Sequence, residues 1–173
     1  METIFSKHCY IKFFVDKDFA DVDCIKQTLS KAVGLAIVAG SGILKFPQII
    51  KIITSGSVEG LSSISSYIET VMYMQVAAFA ISQGIPFSVY GENLIISAQN
   101  FIIIFLIWKY NRKIELTEKF LAFIFLSMYT AVLFTKGNFG VIGPAQWKMI
   151  SSSTSMLNIA ARLPQIMTNF KNQ

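Results

Sequence analysis

The sequence predicts an all-α protein that crosses a membrane several times. Of its 173 residues, 53% are hydrophobic and only 14% are charged, whereas an ordinary soluble domain carries about 25% charged residues. Three windows hold no charged residue at all: 70–91, 93–108 and 120–135. A spanning helix needs about 17–25 mostly apolar residues. These observations exclude a soluble enzyme, a nucleic-acid-binding domain and a disordered protein.

The apolar runs and the breakers between them predict about five spans. Residues 1–31 hold five lysines and five acidic residues, which indicates a solvated or interfacial segment before the first span. Loops rich in Gly, Ser and Pro or clusters of basic residues separate the later runs. The predicted helices cover, in order, about 32–53, 64–83, 94–110, 119–135 and 146–170.

The distribution of Lys and Arg gives an orientation. Six basic residues flank the loops between helices one and two and between helices three and four, together with the C-terminal end of helix five. The other side has Lys136 and Lys148, plus the five lysines of the N-terminal segment. Basic residues in short loops favour the cytoplasm, so we expect the loop after helix three in the cytoplasm and the N-terminus in the lumen or outside.

Two cysteines lie in the N-terminal segment. If that segment is lumenal, a disulfide between Cys9 and Cys24 would persist there; the alternative is two unpaired thiols. His8 is the single histidine of the chain, and a zinc site needs about four ligands in register. We therefore expect no metal, no cofactor and no catalytic residue, so the chain is not expected to be an enzyme.

A short motif occurs twice, 117 residues apart. The sequence Lys45-Phe46-Pro47-Gln48-Ile49 matches Arg162-Leu163-Pro164-Gln165-Ile166. Helices one and five would point the same way, because four spans return the chain to its starting side. Parallel repeats of this kind are typical of one class of transporters.

Each proline of this motif has a physical consequence. Pro47 and Pro164 cannot donate a backbone hydrogen bond, so the helix kinks and a carbonyl is freed. A freed carbonyl in lipid needs another partner, and the adjacent Gln48 and Gln165 carry amide donors. The pattern predicts either a hinge that changes the helix angle during gating or a static kink that shapes packing.

Polar side chains within the spans are candidates for contact with a substrate, since ionisable groups in a bilayer are costly. Glu69 is expected to pair with Lys45, to bind a sugar hydroxyl or to lie as an interfacial carboxylate just below the headgroups. Lys45 and Arg162 are expected to meet a phosphate or to extend to the interface. Sugar binding or hydrogen bonds between helices are the alternatives for the remaining candidates, Gln75, Gln99, Asn100 and Asn158.

The paired Pro-Gln dipeptides resemble those of the PQ-loop family, which includes SWEET sugar transporters and cystinosin-like exporters. Within it, the chain is most similar to the mannose-P-dolichol utilization defect proteins. The stretches that carry this resemblance are Cys9-Tyr10, Cys24-Ile25-Lys26, Leu29-Ser30-Lys31, Gly34-Leu35, Ile37 to Ser41, Lys45 to Gln48, Glu59-Gly60-Leu61-Ser62, Pro86-Phe87-Ser88, Gly91-Glu92 and Gln99.

The resemblance implies a fold of two three-helix bundles joined by a linker helix. On that scheme residues 32–111 form the first PQ-loop bundle, 112–137 the linker helix and 138–173 the first helix of an incomplete second bundle. It further implies a multi-pass protein of the endoplasmic reticulum membrane, needed for use of dolichol-phosphate-mannose and dolichol-phosphate-glucose as lumenal donors in N-glycan and GPI-anchor assembly.

Two other functions remain open from the sequence. One is a SWEET-like or cystinosin-like carrier of a sugar or amino acid, and the other is a structural partner of a membrane glycosyltransferase. The expected partners are membrane lipid, dolichol-phosphate-linked sugars, glycosyltransferases of the endoplasmic reticulum and a second copy of the chain. Nucleic acid is not an expected partner, because the basic residues form no stripe.

Overall fold

The computed structural model describes residues 6–134, 142–143, 146–150, 152–153 and 156. This part of the chain is helical and contains no strand, as the sequence predicts. The helices with defined bounds are α1 (Lys7–Phe14), α2 (Val22–Leu44), α3 (Phe46–Ser55), α4 (Ser63–Ser82), α5 (Phe87–Tyr110) and α6 (Leu116–Phe134).

Four segments of the described chain are long and apolar enough to cross a membrane. They are Val22–Ser55, which joins α2 and α3, and then α4, α5 and α6. The protein is therefore a polytopic membrane protein with an all-α fold. The predicted fifth span, 146–170, lies mostly outside the described residues.

Helix α5 is the centre of the bundle, because α2, α3 and α4 all pack against it. A Cβ placed on Gly34 would lie 2.6 Å from the backbone oxygen of Ser88, and further along both helices Gln99 of α5 reaches the carbonyl of Gly42. Helices α2 and α5 thus run in the same direction. Helix α4 runs the opposite way, since Tyr67 near its start contacts Trp108 near the end of α5.

Two predicted helix starts were wrong. Helix one was expected to begin near residue 32, but α2 begins at Val22, where the Asp21 carboxylate accepts a hydrogen bond of 2.9 Å from the Cys24 backbone N–H. Helix three was expected near residue 94, but α5 begins at Phe87 after Pro86. The apolar windows locate the part of a helix in lipid, whereas the helix itself continues until a residue caps it.

Residues 22–31, assigned to the N-terminal segment, are consequently the first turns of α2. Residues 6–21 lie at the same end of the bundle, where the Cys9–Cys24 disulfide holds them against these turns. Helix α1 begins after Ser6, whose hydroxyl accepts from the Cys9 N–H, and a turn leads directly into α2. We call residues 6–24 the N-terminal hairpin, and the end of the bundle where α2 begins the N-terminal face.

Helix one is also interrupted. The predicted single helix 32–53 is observed as two, because α2 ends at Leu44, Lys45 lies between them and α3 begins at Phe46. Pro47 occupies the first turn of α3, where its missing N–H costs nothing to that helix. The break therefore lies at the proline that the sequence identified as a kink.

Candidate functional site

The break between α2 and α3 frees backbone carbonyls inside the membrane. One of them, the carbonyl of Gly42, accepts a hydrogen bond from the Gln99 side-chain amide of α5. The sequence predicted this role for Gln48, which makes no hydrogen bond with the described residues and lies half-buried on α3. The donor comes from the neighbouring helix, since the parallel packing of α2 and α5 brings residue 99 level with the break.

The residue at the break is itself tied to a third helix. The Lys45 ammonium donates to the Glu69 carboxylate of α4 at 2.6 Å, with 22% and 36% of the two side chains exposed. Pairing with Lys45 was one of the three alternatives for Glu69. The ion pair satisfies both charges within the spans, where an unpaired charge is costly.

Next to Gln99, the bundle holds buried polar atoms that no described residue satisfies. They are the Oε1 atom of Gln99 and the Nδ2 atom of Asn100, and the Asn100 side chain is only 1% exposed. Buried donors and acceptors are normally paired. These two amide groups are therefore the positions in the first bundle where a polar ligand or water would gain most.

The third candidate amide, Gln75, serves the packing of helices. Its side-chain amide donates to the Tyr129 hydroxyl at 2.6 Å, which connects α4 to α6. A similar bond joins α4 and α5, where the Trp108 indole N–H donates to the Tyr67 hydroxyl at 2.6 Å. Sequence reasoning missed both tyrosines, although a tyrosine inside an apolar span signals a buried hydroxyl that needs a partner.

Helix α6 packs against α4 and leaves an apolar groove beside α5. The groove encloses about 530 Å³. Its wall on α5 includes Phe101, Phe105 and Trp108, and its wall on α6 includes Phe123 and Leu126. An open groove with aromatic walls, between two spanning helices, suits a hydrocarbon chain that enters from the bilayer.

The N-terminal hairpin is closed by a disulfide between Cys9 and Cys24. The Lys12 ammonium also pairs with the Asp21 carboxylate. His8 lies beside the bridge, with its Nδ1 atom 3.8 Å from the Cys24 Sγ atom. His8 and the two cysteines form the one group of metal-ligand types in the described chain, but both sulfurs are used by the disulfide.

The second copy of the motif lies outside the described residues. This applies to Asn158, Arg162, Pro164 and Gln165, which therefore stay predictions. The structure brings together Lys45, Glu69 and Gln99 around the first break, and it places Gln75 on the side of α4 that faces α6.

A family model describes the region around the first break. Residues 29–89 match the model of the PQ loop repeat. This part of the chain is similar to a PQ-loop repeat. It extends from α2 to the first residues of α5, so the repeat contains the break, the Pro47-Gln48 dipeptide and both partners of the ion pair. No solved structure matches the chain.

Proposed function

We propose that this protein acts in the endoplasmic reticulum membrane, where it enables dolichol-phosphate-mannose and dolichol-phosphate-glucose to serve as lumenal sugar donors. The PQ-loop repeat suggests a transporter-like membrane protein. The observation that carries the finer proposal is the apolar groove between α5 and α6, because a donor linked to a long isoprenoid chain needs a site open to the bilayer.

Two further features support this assignment. Lys109 lies in the last turn of α5, and Arg112 and Lys113 lie in the loop that follows, at the end opposite the N-terminal face. These basic residues favour the cytoplasm for that end. The disulfide then lies on the lumenal side, in an oxidising compartment where such bonds persist. A disulfide in a lumenal segment agrees with the orientation that these basic residues favour.

The proposal assigns the chain no catalytic step. Its role would be to carry or present a lipid-linked sugar whose phosphate and sugar are polar and whose tail is apolar. The Lys45–Glu69 pair and the amides of Gln99 and Asn100 supply polar groups within the same bundle. The groove supplies a surface for the tail.

Deletion of the gene tests the proposal in cells. We expect truncated lipid-linked oligosaccharides while synthesis of the dolichol-linked donors continues. Re-expression of the wild-type protein should restore complete oligosaccharides, and a Ser127→Trp variant should not, because Ser127 lines the groove. Met128→Trp is the matched control, since Met128 is exposed and is not part of that lining. Normal oligosaccharides in the deletion would refute the function.

A carrier of a free sugar or amino acid is the second candidate. The unsatisfied amide atoms of Gln99 and Asn100 favour it, because such groups recognise hydroxyl and carboxylate ligands. Purified protein in proteoliposomes should then transport solute, and Asn100→Leu should abolish the flux. A silent flux assay, together with truncated oligosaccharides in the deletion, would select the lipid-linked donor. Loss of a glycosyltransferase from deletion cells would instead indicate a structural partner.

A further inference from the structure

The outer surface of the N-terminal hairpin is unusually apolar for a segment outside the spans. On α1 the buried side chains are Cys9 and Phe13. Tyr10, Ile11 and Phe14 on the same helix are 53%, 51% and 56% exposed. Phe19 in the following turn is 65% exposed.

A second exposed apolar surface lies along the start of α2. Val22, Ile25 and Leu29 are spaced by three and four residues and are all exposed, so they form one stripe of the helix. Val33 and Ile37 extend the stripe with the same spacing and are also exposed. These last two lie in the spanning part of α2, where exposure means contact with lipid.

The length of the first span shows how far the hairpin stands from the hydrocarbon core. Val22–Ser55 has 34 residues, or about 51 Å of helix, whereas the core is about 30 Å thick and the bilayer with its headgroups is about 40–45 Å. Lys31 lines a cavity together with Gly84 and Pro86 of the loop between α4 and α5. Residues 22–30 therefore extend past that loop, and a helix tilt of about 35° would keep them within the headgroup layer.

The position of α1 relative to α2 is fixed covalently. The Cys9–Cys24 disulfide and the Lys12–Asp21 ion pair hold α1 against the first turns of α2. The exposed tyrosine and phenylalanines are residue types enriched at membrane interfaces. Residues 1–31 carry as many acidic residues as lysines, so attraction to anionic lipid is not what would hold the hairpin at the membrane.

We propose that the N-terminal hairpin is an interfacial anchor, which inserts Tyr10, Ile11 and Phe19 into the headgroup layer of the same bilayer that α2 crosses. The occupant of this apolar surface is lipid, because the disulfide holds α1 beside the first turns of α2, and the exposed apolar stripe of α2 leads from those turns into the span. The disulfide keeps α1 against α2 and so fixes which side chains point into the bilayer. Neutral phosphatidylcholine suffices as the ligand.

Photo-crosslinking in the full-length protein tests this proposal. The protein carries p-benzoylphenylalanine in place of Tyr10 or Phe19 and is reconstituted in phosphatidylcholine vesicles, with or without phosphatidylserine. We expect phosphatidylcholine adducts at both positions by mass spectrometry, with equal yields in the two vesicle types. The matched control is Phe13, which is only 8% exposed and should give several-fold less lipid adduct.

Every other outcome contradicts the anchor. Chain-to-chain crosslinks at position 10 would assign the surface to a second copy, and absence of any adduct would place it in water. Adducts that form only in vesicles with phosphatidylserine would indicate that charge attraction, and not apolar insertion, holds the hairpin at the membrane. Thiol labelling before and after reduction verifies that each variant keeps the disulfide. If a variant that has lost the disulfide still gives undiminished lipid adducts, the proposed role of the disulfide is wrong.

Discussion

Helices α5 and α6 look alike in sequence but have different surroundings. Both are long and apolar enough to span a bilayer. Nine residues of α5 are buried, among them Ser97, Gln99 and Asn100, whereas Leu126 and Leu133 are the buried residues of α6. Polar residues that recur within an apolar helix therefore identify the central helix of the bundle, and hydropathy alone does not.

The physical reason is that lipid already solvates apolar side chains. Moving a leucine or phenylalanine from lipid into the bundle gains little hydrophobic free energy, so the association of spanning helices depends on packing and hydrogen bonds. Helix α5 supplies both, through contacts with α2, α3 and α4. Helix α6 supplies a few contacts with α4 and leaves most of its surface to the bilayer.

The largest expected effect contrasts one residue from each helix. Ile103 of α5 is 1% exposed and packs with Ile49 and Ile52 of α3, so Ile103→Ala should destabilise the protein by about 3 kcal/mol through the cavity that it leaves. Phe120 of α6 is 63% exposed, and Phe120→Ala should cost less than about 0.5 kcal/mol. Unfolding in mixed micelles measures both; equal losses would remove the distinction between the helices.

Substitutions in the Lys45–Glu69 ion pair test whether contacts with α5 alone stabilise the packing of the other helices. Lys45 and Glu69 connect the break directly to α4, so Lys45→Met leaves the carboxylate unpaired inside the membrane. We expect a loss of about 2 kcal/mol, reduced from the cost of a fully buried pair by the partial exposure of both side chains. Combining Lys45→Met with Glu69→Met should restore part of the stability. Additive losses in this double-mutant cycle would contradict a direct interaction.

Substitutions of Gln99 and Asn100, two adjacent amides on α5, distinguish a structural role from a ligand-binding role. Gln99→Leu removes the donor to the Gly42 carbonyl and should cost about 1 kcal/mol. The Nδ2 atom of Asn100 donates a hydrogen bond to no described residue. Asn100→Leu should therefore leave the stability of the protein unchanged or raise it slightly. The same unfolding measurement compares the two variants. If Asn100→Leu is the more destabilising of the two, its amide has a structural partner and is not available to a ligand.

The sequence predicted the number and order of the described spans and the place of the break, because apolar windows and prolines act locally. It also predicted the pairing of Lys45 with Glu69 as one of three alternatives. It did not predict that Gln99 caps the break, since that depends on the parallel alignment of α2 and α5, which no local pattern encodes. The glycines of α2 differ in their surroundings: a side chain on Gly34 would collide with Ser88, whereas none of the described atoms lies within 4 Å of a Cβ on Gly40.

The start of α2 was misplaced for a related reason. Residues 22–31 carry charges and were therefore assigned to a segment outside the helix, although charge excludes a residue from lipid and not from a helix. Asp21 begins the helix by capping it, and the disulfide then holds α1 beside the extended turns. Contacts formed between distant residues, here Cys9 and Cys24, decide the structure of this region.

The smallest expected effect concerns the N-terminal hairpin, outside the membrane, where the Lys12–Asp21 ion pair contributes to stability. The hydrogen bond from Lys12, with a further one from the Cys24 backbone N–H, lowers the pKa of Asp21 below its ordinary value of 3.8. The hydrogen bond with Asp21 also raises the pKa of Lys12 above 10.5. The stabilisation from Asp21 is thus present above pH 3.8 and is lost as pH falls through the lowered pKa, while that from Lys12 is lost only as pH rises through the raised one.

Reduction of the Cys9–Cys24 disulfide by a phosphine reports on this pair, because a looser hairpin exposes the bridge. Relative to Asp21→Asn, the wild-type hairpin should lose its added protection as the pH falls below about 4. Asp21→Asn keeps an oxygen that can cap α2 but loses the charge, so its reduction should show only the intrinsic pH dependence of the reagent. Asp18→Asn, which alters another carboxylate of the hairpin, should behave as wild type. If Asp18→Asn and Asp21→Asn flatten the profile equally, the protection comes from the overall charge of the hairpin, and the specific contact between Lys12 and Asp21 contributes nothing measurable.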